Sequence, residues 1–246
     1  MKRLLLSICL LATVLSVCAQ EEWKEASKES QAYHTYSMQL TFPPFSLKKV
    51  QTLVKAIEFK DSENNDGTEI LKQSEYLKLT QREKFTYHAI HAETYNQNCD
   101  VMPPIQDEHK KIFGQLSDPF GEYTWAERQR QFFRSNKDSV MAWIKESVGT
   151  GKRLGLNLKH IVVEINAREM IPFLISNYNS NKKDHDMLTV LMLLMKNNEY
   201  KVFMESLSYK KLYAPGTTYD GFLIFNAANE ELIIKRATDF YNELPK

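Results

Sequence analysis

The sequence predicts an all-α protein of stacked antiparallel helical hairpins, α-solenoid-like or an irregular helical bundle. Three observations predict it. Apolar residues recur at helical spacing, and the run Met187–Met195 is apolar nearly all round, as a central buried helix should be. Gly and Pro are sparse, 8 each in 246 residues, which argues against a turn-rich β-sandwich and against disorder. Ser, Thr or Asn followed three positions later by Glu recurs just before apolar runs, the pattern of a helix-opening capping box.

The elements follow in order. Residues 20–45 form a polar, weakly patterned lead-in, partly helical, interrupted at Phe42-Pro43-Pro44-Phe45 because each proline biases its predecessor away from helix. Ser46 can cap a helix carrying Leu47, Val50, Val54 and Ile57. Asp61 to Gly67 reads as a polar loop, and Thr68 opens a helix with Ile70, Leu71 and Leu77. Thr80-Gln81-Arg82-Glu83 fits a capping box and opens a helix over about residues 81 to 95. Val101-Met102-Pro103-Pro104 imposes an extended passage. Thr124-Trp125-Ala126-Glu127 is a second box, opening a helix with Phe132 and Phe133. Asn136 starts the next, which Gly149 ends.

In the second half Leu156 to Ile165 is apolar and β-branched, so helix and strand compete. Asn166-Ala167-Arg168-Glu169 is an Asn variant of the box, before Met170, Ile171, Phe173, Leu174 and Tyr178. Asp184 starts the central apolar helix. Tyr200, Phe203, Met204 and Leu207 form a short one. Gly221 to Phe225 reads as one short strand with no evident partner, and Asn226 or Asn229 caps the last helix. Short polar loops make antiparallel hairpins the economical connection for about eight to ten such helices. The stretch Asn166 to Tyr178, with Pro172 inside and an apolar helix on either side, resembles HEAT-like helical repeats over about residues 155–207. That resemblance implies a layered all-α arrangement and no activity.

The N-terminus reads as an export signal over residues 1–19: Lys2 and Arg3, the uncharged apolar run Leu4 to Val17, then small residues ending at Ala19, with Gln20 first in the mature chain. The alternative is a lipoprotein signal, with Cys18 as a lipid-anchored residue. No second apolar stretch reaches the ~18 residues of a spanning helix. The remainder, 46–246, reads as a helical domain, with a subdivision near 149–155. The expected address is periplasmic or secreted.

Removal of the leader takes Lys plus Arg from 32 to 30 against 31 Asp plus Glu, so the net charge moves from +1 to −1. Such a chain has no field to attract nucleic acid. Cys9 and Cys18 leave with the leader, so Cys99 alone remains of 3 cysteines and cannot form an internal disulfide.

The chemistry-bearing stretch is YHAIHAETYNQNCD, residues 87–100. On a helix His88 and His91 are neighbours and could share a zinc ion with ligands from elsewhere. Glu93 lies about 200° around the wheel from His91 and is a poor co-ligand. Cys99 beside either imidazole would be a candidate nucleophile, although the adjacent Asp100 carboxylate raises its thiol. Gly149-Thr150-Gly151-Lys152 is not a phosphate loop, because Glu146 stands where its first glycine belongs. Phe120, Tyr123 and Trp125 cluster near one helix start and are candidates for stacking on a protein or glycan partner. The reading expected from sequence is an exported helical protein that binds a protein or glycan without catalysis. The alternative is a metal-dependent or thiol enzyme centred on His88, His91 and Cys99.

Overall fold

The computed structural model describes residues 25–60, 67–96, 103–149, 153–218 and 221–244. The leader with Cys18, and Cys99, lie outside them. The described chain is mostly helical, with twelve α-helices and only two short two-stranded antiparallel sheets.

Helix α1 (Lys28–Ser37) lies within the polar lead-in and opens at Ser27, whose hydroxyl accepts from the Ser30 amide at 3.2 Å. Helix α2 (Leu47–Lys55) follows the prolines. Ser46 holds its N-cap position but turns left-handed at φ 51°, and its side chain does not cap. Helix α3 (Gln73–Leu77) is shorter than its apolar pattern suggests, because Thr68 is extended and bridges Lys60 and Thr94. Helix α4 (Gln81–Ile90) opens with the expected box: the Glu83 amide donates to Thr80 Oγ1 at 3.3 Å, and the Thr80 amide to Glu83 Oε2 at 2.9 Å. It ends a turn earlier than expected. His91 is extended, at φ −149° and ψ 132°, and strand β1 (Thr94–Tyr95) follows.

After β2 (Lys111–Phe113) comes β3 (Tyr123–Thr124), which pairs with β1. Thr124 is thus in a strand, and the helix box sits two residues later than expected. Helix α5 (Glu127–Ser135) has Ala126 at its N-cap, and Gln129 Oε1 accepts from the Ala126 amide at 3.1 Å. Helix α6 (Lys137–Val148) follows, and α7 (Leu156–Glu164) resolves the helix–strand competition in favour of helix. Asn166 does not cap; it sits at φ 46° and exchanges amide hydrogen bonds with Asn198 at 3.1 and 2.8 Å. A 3₁₀ turn, Arg168–Met170, leads into α8 (Ile171–Ser180), with Pro172 in the first turn where no amide is needed.

Helix α9 (Asp186–Asn197) is buried at Met187 to Met192, Leu194 and Met195. Helices α10 (Lys201–Met204) and α11 (Leu207–Tyr213) form the next turn of chain. Strand β4 (Phe222–Ile224) has a partner that its sequence does not announce: it pairs antiparallel with β2, Ile112 opposite Leu223. Helix α12 (Ala227–Asn242) is capped by Asn226, which accepts from the Asn229 amide at 2.9 Å.

Helix α9 is the axis of the core and packs on α7, α8, α10, α12 and β2. One apolar cluster runs from Phe45 through Ile112, Leu158 and Leu191 to Phe240, and a smaller one joins Val50, Leu71, Leu79 and Tyr87. Residues 39–41 are stitched to 153–157 mostly by uncharged bonds, beside one from the Arg153 guanidinium to the Gln39 carbonyl at 3.3 Å. Asn157 Oδ1 accepts from the Thr41 amide at 2.9 Å, and Asn157 Nδ2 donates to the carbonyls of Thr41 and Ala89 at 2.8 and 2.7 Å. The amides of Gly155 and Leu156 bond Thr41 Oγ1 and the Gln39 carbonyl. No helix among the described residues is long and apolar enough to cross a membrane.

Candidate functional site

His88 and His91 both stand at the C-terminal end of α4, His88 in its last turn and His91 at its C-cap, but they bond different partners. His88 is fully buried, and Gln129 reads its proton. The Gln129 oxygen accepts from the amides of Glu93 and Ala126, at 3.0 and 3.1 Å, so the nitrogen must face the other way. That nitrogen donates to the His91 carbonyl at 2.9 Å and lies 3.0 Å from His88 Nδ1, which is therefore the acceptor. The proton is on Nε2, which donates to Tyr76 Oη at 3.0 Å. Burial, helped by the Arg128 charge, pushes the His88 pKa well below its ordinary value and keeps the ring neutral. His91 Nε2 donates to the Glu69 carbonyl at 2.6 Å.

Glu93, set aside by the helical-wheel argument, is the centre of this network, because the chain has left the helix before reaching it. It is fully buried. Arg128 grips both its oxygens, Nε to Oε2 at 2.6 Å and Nη2 to Oε1 at 2.5 Å, and Tyr87 donates to Oε1 at 2.7 Å. The guanidinium lies 4.8 Å from the Tyr76 ring. Such a saturated carboxylate fixes the α4–β1–α5 junction rather than offering itself to a ligand. Among the described residues no group of three or more His, Cys, Asp or Glu side chains is placed to hold a metal ion, so a zinc site on His88 and His91 has no ligand set there.

Of the aromatic candidates Trp125 is buried, while Phe120 and Tyr123 are partly exposed. Trp125 is 8% exposed, donates from Nε1 to the His88 carbonyl at 2.8 Å, and meets Phe133 and Phe120 with ring centres 5.0 and 5.6 Å apart. Tyr123 is half-buried and donates to Glu69 Oε1 at 2.8 Å; burial, then that carboxylate, pushes its phenol up to about 12. No family model, no curated protein and no solved structure matches the chain. The resemblance of residues 155–207 to HEAT-like repeats thus rests on local pattern alone.

Two further places emerge only in three dimensions. The first is an ionic seam. Lys159 is fully buried and donates to Asp184 Oδ1 at 2.5 Å and Asp186 Oδ2 at 3.1 Å, while Arg153 Nε donates to Asp184 Oδ2 at 2.7 Å. Two cations thus face two carboxylates, which is what allows charges to remain buried. Helix α1 lies over it. The second is an open groove of about 640 Å³ between α8 and α12. Ile171, Pro172 and Ile175 give it an apolar wall; Asn179, Asn242 and the 37%-exposed Tyr241 give it amides and a ring. Ser176, Ser180 and Thr238 add hydroxyls, and no charged side chain is among the described residues that line it. Sequence reasoning missed this place because its walls come from helices some sixty residues apart.

Proposed function

We propose that this chain is an exported, non-catalytic binding protein and that the α8–α12 groove takes a neutral glycan. The observation that carries this reading is the lining: apolar wall, one half-open tyrosine ring, two carboxamides and three hydroxyls, without charge. A sugar presents the complement, a face of C–H groups for the ring and neutral hydroxyls that both donate and accept. The cluster around His88, His91 and Glu93 supports the same reading from the other side. Each of these side chains already holds a partner within the protein: His88 bonds Tyr76, His91 the Glu69 carbonyl, and Glu93 both Arg128 and Tyr87. Export rests on the leader at residues 1–19, with the cell envelope or the exterior as the address.

Titration of the mature chain with neutral oligosaccharides of glucose, mannose, galactose and N-acetylglucosamine, followed by calorimetry, tests it. Saturable binding to at least one series is expected. Tyr241→Ala should weaken it about tenfold, by removing the stacking ring, without changing the melting temperature appreciably. Binding that is absent from every series, or unchanged by both Tyr241→Ala and Asn179→Ala, would exclude the groove as a glycan site. Preferential binding of uncharged peptides would instead make the partner a protein.

A further inference from the structure

Helix α1 is attached by polar and aromatic groups, and histidines stand along one side of it. Its sequence, KESQAYHTYS, gives the core no aliphatic side chain, and its buried positions are Ser30 and Ser37. Along one side Ser30 Oγ is 3.0 Å from His109 Nδ1, and His34 Nδ1 lies 3.0 and 3.1 Å from the two Glu108 oxygens. The Tyr33 ring packs on His185 at 5.0 Å. Along the other side the Arg153 guanidinium sits 4.1 Å from the Tyr36 ring and donates to the Ser37 carbonyl at 3.1 Å, and Asn181 donates to Tyr36 Oη at 2.5 Å. A helix of ten residues does not persist alone in water, so α1 is helical only while these contacts hold.

The surrounding charges single out one pair. Beneath α1, Arg153 and Lys159 are already matched by Asp184 and Asp186. The 3₁₀ turn that packs on α1 supplies Glu108, His109 and Lys110; Lys111 opens β2 and His185 stands at the start of α9. On α1 itself Lys28 and Glu29 sit at the far, N-terminal end. Glu108 is the carboxylate placed on His34, with Asp186 adding a weaker attraction. We propose that α1 is a detachable strap, docked while His34 carries its proton against Glu108 and released when that proton is lost.

The direction is set by linkage. The hydrogen bond to Glu108 holds the His34 pKa above its ordinary value against the effect of burial. Its contribution is therefore complete below about 6.5, the unfolded value, and is lost as pH rises through the raised one. A neutral imidazole still donates a bond but no longer attracts the carboxylate as a charge. Release uncovers Glu108, His185 and the Asp186 end of the seam. It stops at Thr41, whose bonds to Asn157 and Gly155 carry no titrating group.

Hydrogen exchange read by mass spectrometry, as protection factors at pH 6 and pH 8, tests the strap. Peptides covering 28–37 should lose protection severalfold at pH 8 while those covering 186–197 keep theirs. His34→Lys, which stays charged at pH 8, and Glu108→Gln, which has no charge to attract, should each abolish the step. A wild-type helix equally protected at both pH values overturns the proposal, as does a parallel loss in 186–197. So does a step that survives in either variant while α1 is docked. Loss of docking in both variants at both pH values, beside the wild-type step, shows that the His34–Glu108 pair is what holds the strap.

Discussion

Two backbone amides, those of Glu93 and Ala126, orient the Gln129 carboxamide, and through it they settle which nitrogen of His88 carries the proton. The imidazole then has a donor on one side, an acceptor on the other and aromatic rings around it, Phe132 at 4.9 Å and Tyr87 at 5.0 Å. His88→Ala would leave Gln129 Nε2 and Tyr76 Oη without this partner and open a cavity between the rings. It is expected to cost about 3 kcal/mol in urea denaturation. A loss below about 1 kcal/mol would mean that the network is not what holds α4 to α5. At this scale the sequence was informative about type and silent about partner. It marked His88 and His91 as unusual, but nothing near them names Gln129, Arg128 or Glu69 as what they and Glu93 meet.

Between elements, the joint at residues 39–41 and 153–157 depends on the absence of a side chain at Gly155. A Cβ there would collide with the Thr41 backbone nitrogen and stand 2.6 Å from the Leu40 carbonyl carbon. Both are main chain and cannot swing aside. Gly155→Ala is expected to cost at least about 2 kcal/mol, with heightened proteolysis before Thr41 as a local sign; a neutral outcome in a thermal melt would refute the tight approach. Local signals were readable at several helix starts: the Thr80–Glu83 box, Pro172 in the first turn of α8, and Asn226 at the cap of α12. They failed where tertiary bonds outweighed them. His91 leaves the helix to reach the Glu69 carbonyl, Thr124 enters a strand opposite Thr94, and Asn166 gives its amide to Asn198 rather than to a helix end. The β2–β4 pair was illegible for a simpler reason, since its halves are about a hundred residues apart and each is only three residues long.

For the molecule as a whole, buried imidazoles shape stability against pH. Burial lowers the pKa of His88 and His160, and brings that of His185 to about 4. Unfolded, each would take a proton near 6.5, so the unfolded chain gains protons first on acidification. Their stabilisation is present above about 6.5 and is lost as pH falls, for His185 through about 4. The opposite sign at His34 acts above 6.5 and only on α1. The melting temperature is therefore expected to fall between pH 6.5 and 4.5, before the carboxylates titrate, and less steeply in His185→Gln, whose amide can still donate to the Lys111 carbonyl. An unchanged slope in that variant would place the acid sensitivity elsewhere. The stitch at Thr41 bears on a different matter, the order in which the protein is assembled. Thr41 and Asn157 are 116 positions apart, and a chain is made from its N-terminus. Residues 39–41 must therefore wait unpaired while α2 through α6 are synthesised, and the joint closes only once Gly155 and Asn157 arrive. A nascent chain stopped short of that point would leave the joint unmade, with the main-chain groups of residues 39–41 bonded to water instead of to Gly155, Leu156 and Asn157.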